Sequence, residues 1–385
     1  MIPYGRQDVV QSDIDAVEDV LRSDFLTQGP VGPRFERAVA QSVGAACAVA
    51  VNSATSALHV ACLALRLGPG DRLWTVPTTF VASANCGLYC GADVDFVDID
   101  PDTWNLSVER LREKLAEAGK EHRLPKVVVP VHLAGQPTEQ EAIRELSREY
   151  GFSIVEDASH AIGASRNGEP VGSCRWSDVT VFSFHPVKIM TSGEGGMALT
   201  NDDEIAERMR LLRSHGITRD PERFSSSGPV SGWYYEQQML GFNYRMTDIQ
   251  SALGLSQLQR VPEYVDRRNE LARRYDEALR ELPLQLPLVQ PGNVSAFHLY
   301  VVRLTGGVSA AGHRQVFDAL RSAGLGVNVH YMPVHLQPYY RQLGFSPGQY
   351  PEAEAYGNSA ITLPLYPNLT EQQQDEVIRA LGDAL

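Results

Sequence analysis

A chain of 385 residues with 43% hydrophobic and 21% charged side chains has the usage of an ordinary globular protein, and its length favours a large domain plus a smaller one. Its 47 acidic residues outnumber 34 basic ones for a formal charge of −13, and the cations are scattered, which argues against nucleic acid and anionic membrane as partners. Cys47, Cys62, Cys86, Cys90 and Cys174 give neither a zinc spacing nor a disulfide framework, and Met1 to Val10 carries Arg6 and Asp8 rather than an apolar run; the expectation is a cytoplasmic protein without metal, secretory signal or membrane span.

An amino-terminal helix is expected around Asp13 to Arg22. From Ala48 to about Thr200, short β-branched runs alternate with helical patterns, the rhythm of β-α units. The expected strands are Ala48 to Val51, Leu73 to Val76, Val94 to Val97, Lys126 to Val131, Phe152 to Glu156, Val179 to Phe184 and Gly196 to Leu199. Val127, Val128 and Val129 are apolar on both faces, as a buried parallel strand requires. Helices are expected over Ala54 to Leu67 and Thr138 to Tyr150, and the Ser, Gly and Pro cluster from Ser225 to Gly232 reads as a mobile surface loop. Long helices from Thr247 to Glu281, strands over Phe297 to Leu304 and Gly326 to His330, and helices over Gly312 to Ala323 and Thr370 to Leu385 follow. The fold class is α/β: a large domain over residues 1–245 with a mostly parallel central sheet, and a smaller α+β domain over 246–385, which the amino-terminal helix joins.

Two segments carry the chemistry. Val155-Glu156-Asp157-Ala158-Ser159-His160 and Phe182-Ser183-Phe184-His185-Pro186-Val187-Lys188 each leave a strand, and residues just past the carboxyl ends of strands in an α/β sheet face the ligand crevice. Asp157, His160, Ser183 and Lys188 therefore converge on a site suited to an anionic, titratable cofactor. Pyridoxal 5′-phosphate (PLP) needs such groups: an amine for a Schiff base, an acid opposite the pyridine nitrogen, and donors for the phosphate. Lys188 and Asp157 fit the first two roles, and Asn52-Ser53-Ala54-Thr55-Ser56-Ala57, between a strand and a helix, is rich in donors. Singly, each has a plainer use: Asp157 as a cap, Lys188 as a solvated cation, Ser53 to Ser56 as a capping sequence, Phe80 as core, Gly193 to Gly196 as a tight turn.

In order along the chain, Leu26 to Pro30, Asn52 to Ala57, Pro77 to Phe80, Glu156 to His160, Ser183 to Lys188, Glu194 to Gly196, Arg213 to Gly216, Gly241 to Arg245 and Val329 to Pro333 resemble the DegT-type sugar-nucleotide aminotransferases, PLP enzymes of the aspartate aminotransferase fold. The resemblance implies that Lys188 is the Schiff-base lysine and that Asp157 pairs with the pyridine nitrogen. It further implies that Phe80 stacks on the cofactor ring, that His160 reaches its phenolic oxygen, and that Thr55, Ser56 and Ser183 bind phosphate. Asn243 matches a residue that reaches the phosphate from a neighbouring subunit, which implies a homodimer with shared active sites. Tyr4, Thr27, Gln28, Arg245, His330 and Tyr331 fall where family members hold the sugar nucleotide, with Arg245 the obvious cation for a diphosphate.

Within the family, Asn52 to Leu58, Thr78 to Asn85, Ser159 to Ala161 and Phe182 to His185 are most similar to the C4 aminotransferase of pseudaminic acid biosynthesis. That likeness implies L-glutamate as amino donor and a UDP-linked 2-acetamido-2,6-dideoxy-4-keto-hexose as acceptor. It also implies a ping-pong cycle in which Lys188 serves as anchor and as general acid and base. A dehydratase of the same fold, with histidine in place of the lysine, is opposed by Lys188. A sugar-nucleotide sensor that has lost turnover is opposed by the intact set of Asp157, His160, Ser183 and Lys188.

Overall fold

Each of the seven β-branched runs between Ala48 and Leu199 becomes a strand of one sheet. Its spatial order is Cys47–Val51, Gly196–Thr200, Val179–Ser183, Ser153–Asp157, Val127–Val129, Arg72–Thr75 and Asp93–Phe96. The architecture comes from a computed structural model, which describes residues 1–225, 231–307 and 309–385. All neighbours run parallel except Gly196–Thr200, which is antiparallel to the strands on both its sides. Alternation along a strand sends successive residues to opposite faces. Phe182 and Met197 thus pack with Phe35, Val39 and Tyr264 on one face, while Val181 and Ala198 pack with Leu58 and Val60 on the other.

Several boundaries differ from expectation, each for a local reason. The strand expected to reach Val131 stops at Val129, because Pro130 has no N–H to give the ladder; its carbonyl still accepts the Asp157 N–H at 2.9 Å. The helix expected to reach Leu67 ends at Ala64, two residues before Arg66 turns left-handed with φ of 61°. The stretch read as long helices from Thr247 resolves into Asp248–Leu258 and Val261–Leu279, with Pro262 in the first turn of the second, where a missing N–H costs nothing. Helices Val31–Val43, Ala82–Tyr89, Val108–Lys120 and Asp203–Arg213 were not expected from the pattern. Residues 226–230 of the anticipated mobile loop lie outside the described residues; Ser225 donates its backbone N–H to Glu236 Oε2 at 2.7 Å.

Beyond residue 280 the chain builds a three-stranded antiparallel sheet, with Tyr300–Leu304 between Leu284–Gln285 and Ala360–Leu363. The strand expected from Phe297 begins only at Tyr300, since Phe297 adopts a φ of 42° that a strand cannot contain. The strand expected over Gly326 to His330 is reduced to Leu325–Gly326, paired in parallel with Ile2–Pro3 at the amino terminus. A Cβ at Gly326 would lie 2.9 Å from Pro3 Cα, so glycine permits that pairing. The helix Gln11–Leu21 docks on Asp248–Leu258 through the buried Asp13, whose carboxylate accepts from Ser256 Oγ (2.6 Å), Gln257 Nε2 (2.7 Å) and Arg260 (2.7 Å). Among the described residues no helix is long and apolar enough to cross a membrane, and all five cysteines are free.

Candidate active site

The carboxyl ends of the parallel strands, together with Tyr4, His298 and residues 328–331, enclose a cavity of about 730 Å³. Strand geometry sets its floor. Asp157 ends Ser153–Asp157, Ser183 ends Val179–Ser183, and the helix Ala54–Ala64 starts three residues after Cys47–Val51 ends. Thr55, Ser56, Phe80, Asp157, His160, Ser183 and Lys188 all line this cavity, as do Tyr4, His330 and Tyr331.

One end of the cavity is a cradle of neutral donors. Ser53 caps its helix by accepting the Ser56 N–H at 3.1 Å, and the Ser56 hydroxyl donates to Asn52 Oδ1 at 2.7 Å. Gly196 is paired with both Val51 and Ser183, and a Cβ there would sit 2.5 Å from Ala54 N. The absent side chain brings Ser183 and the first turn of the helix together, and a helix start of this kind favours an anion.

At the centre, Asp157 accepts from Ser83 Oγ at 2.6 Å and from the Ser159 N–H at 3.1 Å. The side-chain amine of half-buried Lys188 has no hydrogen-bond or ion-pair partner among the described residues, and burial pulls it down to about 8 against the opposing attraction of Asp157. Phe80 is 57% exposed on the cavity wall, a flat apolar face left bare. His160 is buried; desolvation, followed by the charge of Lys188 and by His330, holds its imidazole well below the usual histidine range. Tyr331 brings its hydroxyl within 3.2 Å of His160 Nε2. His330, whose own pKa burial and Lys188 push down to about 4, pairs Nδ1 with Thr362 Oγ1 at 2.9 Å and lies 5.0 Å from Tyr4 between ring centres, the rings tilted by 58°.

Four of the expected residues lie elsewhere within the chain. Gln28 and Arg245 line a separate cavity of about 220 Å³ with Arg213, Ser214 and Asp248, and Arg245 donates to Ser214 Oγ at 3.1 Å. Thr27 bridges to Thr247, and Asn243 to Ser214. Ser83, His298 and Asn328 bear on the main site without having been singled out. Ser83, which bonds Asp157, comes from Ala82–Tyr89, whose run of small residues has no amphipathic signal; His298 and Asn328 line the cavity and lie in stretches read simply as strands.

A primary amine without a partner, a hydrogen-bonded carboxylate, a bare aromatic face and a neutral anion cradle around one cavity fit a phosphorylated pyridine aldehyde: Lys188 could hold the aldehyde carbon, Asp157 the ring nitrogen, and Thr55, Ser56 and Ser183 the phosphate. Fold and site together define a PLP-dependent aminotransferase. Residues 7–382 match the DegT/DnrJ/EryC1/StrS aminotransferase family, and the chain belongs to it. It is 38% identical over 386 residues to the spore coat polysaccharide biosynthesis protein SpsC of Bacillus subtilis, covering 99% of this chain and 96% of that protein. Among solved structures, the aminotransferase PseC of Helicobacter pylori, involved in the biosynthesis of pseudoaminic acid, superposes with a TM-score of 0.90 at 30% identity, covering 100% of this chain and 98% of the other. The putative sugar aminotransferase Spr1654 of Streptococcus pneumoniae, in its PMP form, likewise gives 0.90 at 30% identity, over 100% and 99% of the two chains.

Proposed function

We propose that this sugar aminotransferase carries an amino group from L-glutamate to C4 of a nucleotide-linked 4-keto-6-deoxy sugar, with UDP-2-acetamido-2,6-dideoxy-4-keto-hexose as the favoured acceptor. The observation that carries the reading is the partnerless amine of Lys188, in one cavity with the hydrogen-bonded carboxylate of Asp157. The likeness to PseC, an aminotransferase involved in pseudoaminic acid biosynthesis, supports an acceptor sugar of that kind.

Bound PLP supplies an electron sink for the carbon whose C–H bond is broken. The protein's part is placement and proton traffic. Asp157 keeps the ring nitrogen protonated, and Ser83 and Ser159 hold that carboxylate in place. With its pKa pulled to about 8, Lys188 can both release and take a proton near neutral pH, so it serves as the base on the donor's α-carbon and as the acid in the return step. Tyr4, His330 and Tyr331 line the same cavity and are the residues assigned to the acceptor sugar in this reading.

Arg245, Gln28, Thr27 and Asn243 serve a second copy of the chain in this reading. Exposed Phe25, Leu26 and Leu240 support a homodimer with shared sites. The test is a two-stage assay. Glutamate alone should bleach the cofactor's visible band and release 2-oxoglutarate, and mass spectrometry of a panel of UDP-, GDP- and dTDP-linked 4-keto sugars should show a gained amine on the UDP sugar. No bleaching by glutamate refutes the donor, and amination confined to a GDP or dTDP sugar refutes the acceptor.

A further inference from the structure

The back of the cavity contains a second histidine that the reaction does not call on. The His298 ring lies 4.4 Å from that of His160, tilted by 48°. It is 4% exposed, and its Nδ1 is buried without a hydrogen-bond partner. Its backbone is fixed from behind: the buried Arg268 donates to the carbonyls of Phe297 (3.1 Å), His298 (3.2 Å) and Leu365 (2.9 Å).

The same turn that grips His160 also grips the His298 segment. The Ala134 N–H donates to His160 Nδ1 at 3.2 Å, which leaves that nitrogen as acceptor and puts the ring proton on Nε2. The carbonyls of Ala134 and Gly135 accept from Leu299 N (3.3 Å) and Ala296 N (3.0 Å). Gly135 has a φ of 100°, and a Cβ there would meet Phe297 N at 2.8 Å, His160 O at 3.0 Å and His298 N at 3.1 Å. No larger residue lets the three strands of backbone close on one another.

We propose that His298 is a positioning residue: its ring packs against His160 and holds that imidazole in one orientation, with Nδ1 tied to Ala134 and the Nε2 proton directed into the cavity. In the structure Nε2 faces the Tyr331 hydroxyl at 3.2 Å; this deepens the reading above and rests on it for the second oxygen Nε2 would meet there, the cofactor's phenolic oxygen. An Nε2–H donor matches an oxygen that carries negative charge. The surroundings work in the same direction. Burial comes first for both rings, Lys188 then disfavours a second proton on each, and Arg268 adds to this at His298. With Nδ1 buried and bonding nothing, the contact His298 makes to His160 is that of one ring against the other.

Full-length holoenzyme carrying 15N-histidine tests this. In the wild type, the His160 signals should show an acceptor Nδ1 and a protonated Nε2, unchanged between about pH 5 and pH 8, where a free imidazole titrates. His298→Ala should mix the two tautomers, make His160 titrate within that range, and weaken cofactor retention about tenfold. His298→Phe keeps a ring and should restore the wild-type signals and retention; Gly135→Ala, with His298 intact, should reproduce the alanine phenotype. Wild-type His160 signals in His298→Ala overturn the proposal, and so does a His298→Phe protein as disturbed as the alanine variant. Should His298→Ala fail to fold, the phenylalanine variant alone decides. A wild type with no visible cofactor band would instead sink the functional reading, leaving the tautomer measurement to stand by itself.

Discussion

Ser83 gives its hydroxyl proton to Asp157 Oδ2 across 2.6 Å, from a position 74 residues earlier in the chain. Thr79 Oγ1 lies 2.7 Å from the same serine oxygen and supplies it in turn, so the carboxylate is set by a relay that begins on the Phe80 side of the cavity. Bonds of this kind to a charged group are worth about 1.5–3 kcal/mol. Ser83→Ala should therefore raise the dissociation constant for PLP roughly ten- to a hundredfold while leaving the fold intact, as read by cofactor titration and circular dichroism. Unchanged affinity would show that Asp157 is held by Ser159 alone.

Lys188→Ala should abolish the visible band of the bound cofactor and lower turnover by about 10³-fold or more, because anchor and proton carrier are lost together. Borohydride reduction of the wild type followed by peptide mapping should label Lys188. A tag on another lysine would reassign the site.

Because burial holds the Lys188 amine near 8, cofactor capture by the stripped enzyme should accelerate with rising pH through an inflection near 8 and then level off, far below the range of an exposed lysine. Asp157 opposes that shift by favouring the charged amine, so Asp157→Asn should move the inflection downward. The sign for stability follows: the unfolded chain binds the proton more tightly, so this group's contribution favours the folded state increasingly as pH rises from the folded toward the unfolded value. Stopped-flow capture rates across pH 6 to 10 measure the inflection, and a profile rising only above about pH 10 contradicts it.

Gly196→Ala should separate the helix start from Ser183, since the new methyl meets backbone at 2.5 Å on the Ser53 and Ala54 side. Overpacking against backbone costs about 1–3 kcal/mol. A lowered melting temperature with weakened phosphate-dependent binding of PLP, compared with pyridoxal lacking the phosphate, is the expected pair of results.

Asp13 clamps the amino-terminal helix. Burial pushes its carboxyl up, but hydrogen bonds from Ser256, Val10, Arg260 and Gln257 together outweigh that and leave it below the usual aspartate value. Its stabilising contribution is present above the unfolded pKa and fades as pH falls through the lower, folded one. Asp13→Ala strips the partner from Arg260 and two buried amide and hydroxyl donors, and should cost about 3–5 kcal/mol in denaturant unfolding near neutral pH. The gap from wild type should narrow in acid.

How much was legible beforehand depended on whether a residue's role is local. The strands of the large sheet were readable because their β-branched runs are buried on both faces, and Lys188 and Asp157 because ordered segments around them resemble one family. Ser83 was not, since its helix is a run of small side chains whose burial comes from the sheet beneath it. His298 could not be separated from an ordinary core histidine: its meaning comes from His160, far off in sequence, through a turn at Gly135 whose crowding exists only in three dimensions. Gln28 and Arg245 fall where family members hold substrate but line another cavity in the same chain, and a one-dimensional pattern does not say which cavity a residue joins.

The antiparallel strand Gly196–Thr200 wedges between Cys47–Val51 and Val179–Ser183, two elements drawn from distant parts of the chain. While the polypeptide is emerging from the ribosome, Ser53 to Ser56 and Ser183 have nothing to join them until that wedge has been synthesised. Vitamin capture is thereby postponed to a late stage of folding, and any nascent fragment ending short of residue 196 should leave Cys47–Val51 without a ladder partner and Val179–Ser183 as a bare edge, blind to the coenzyme.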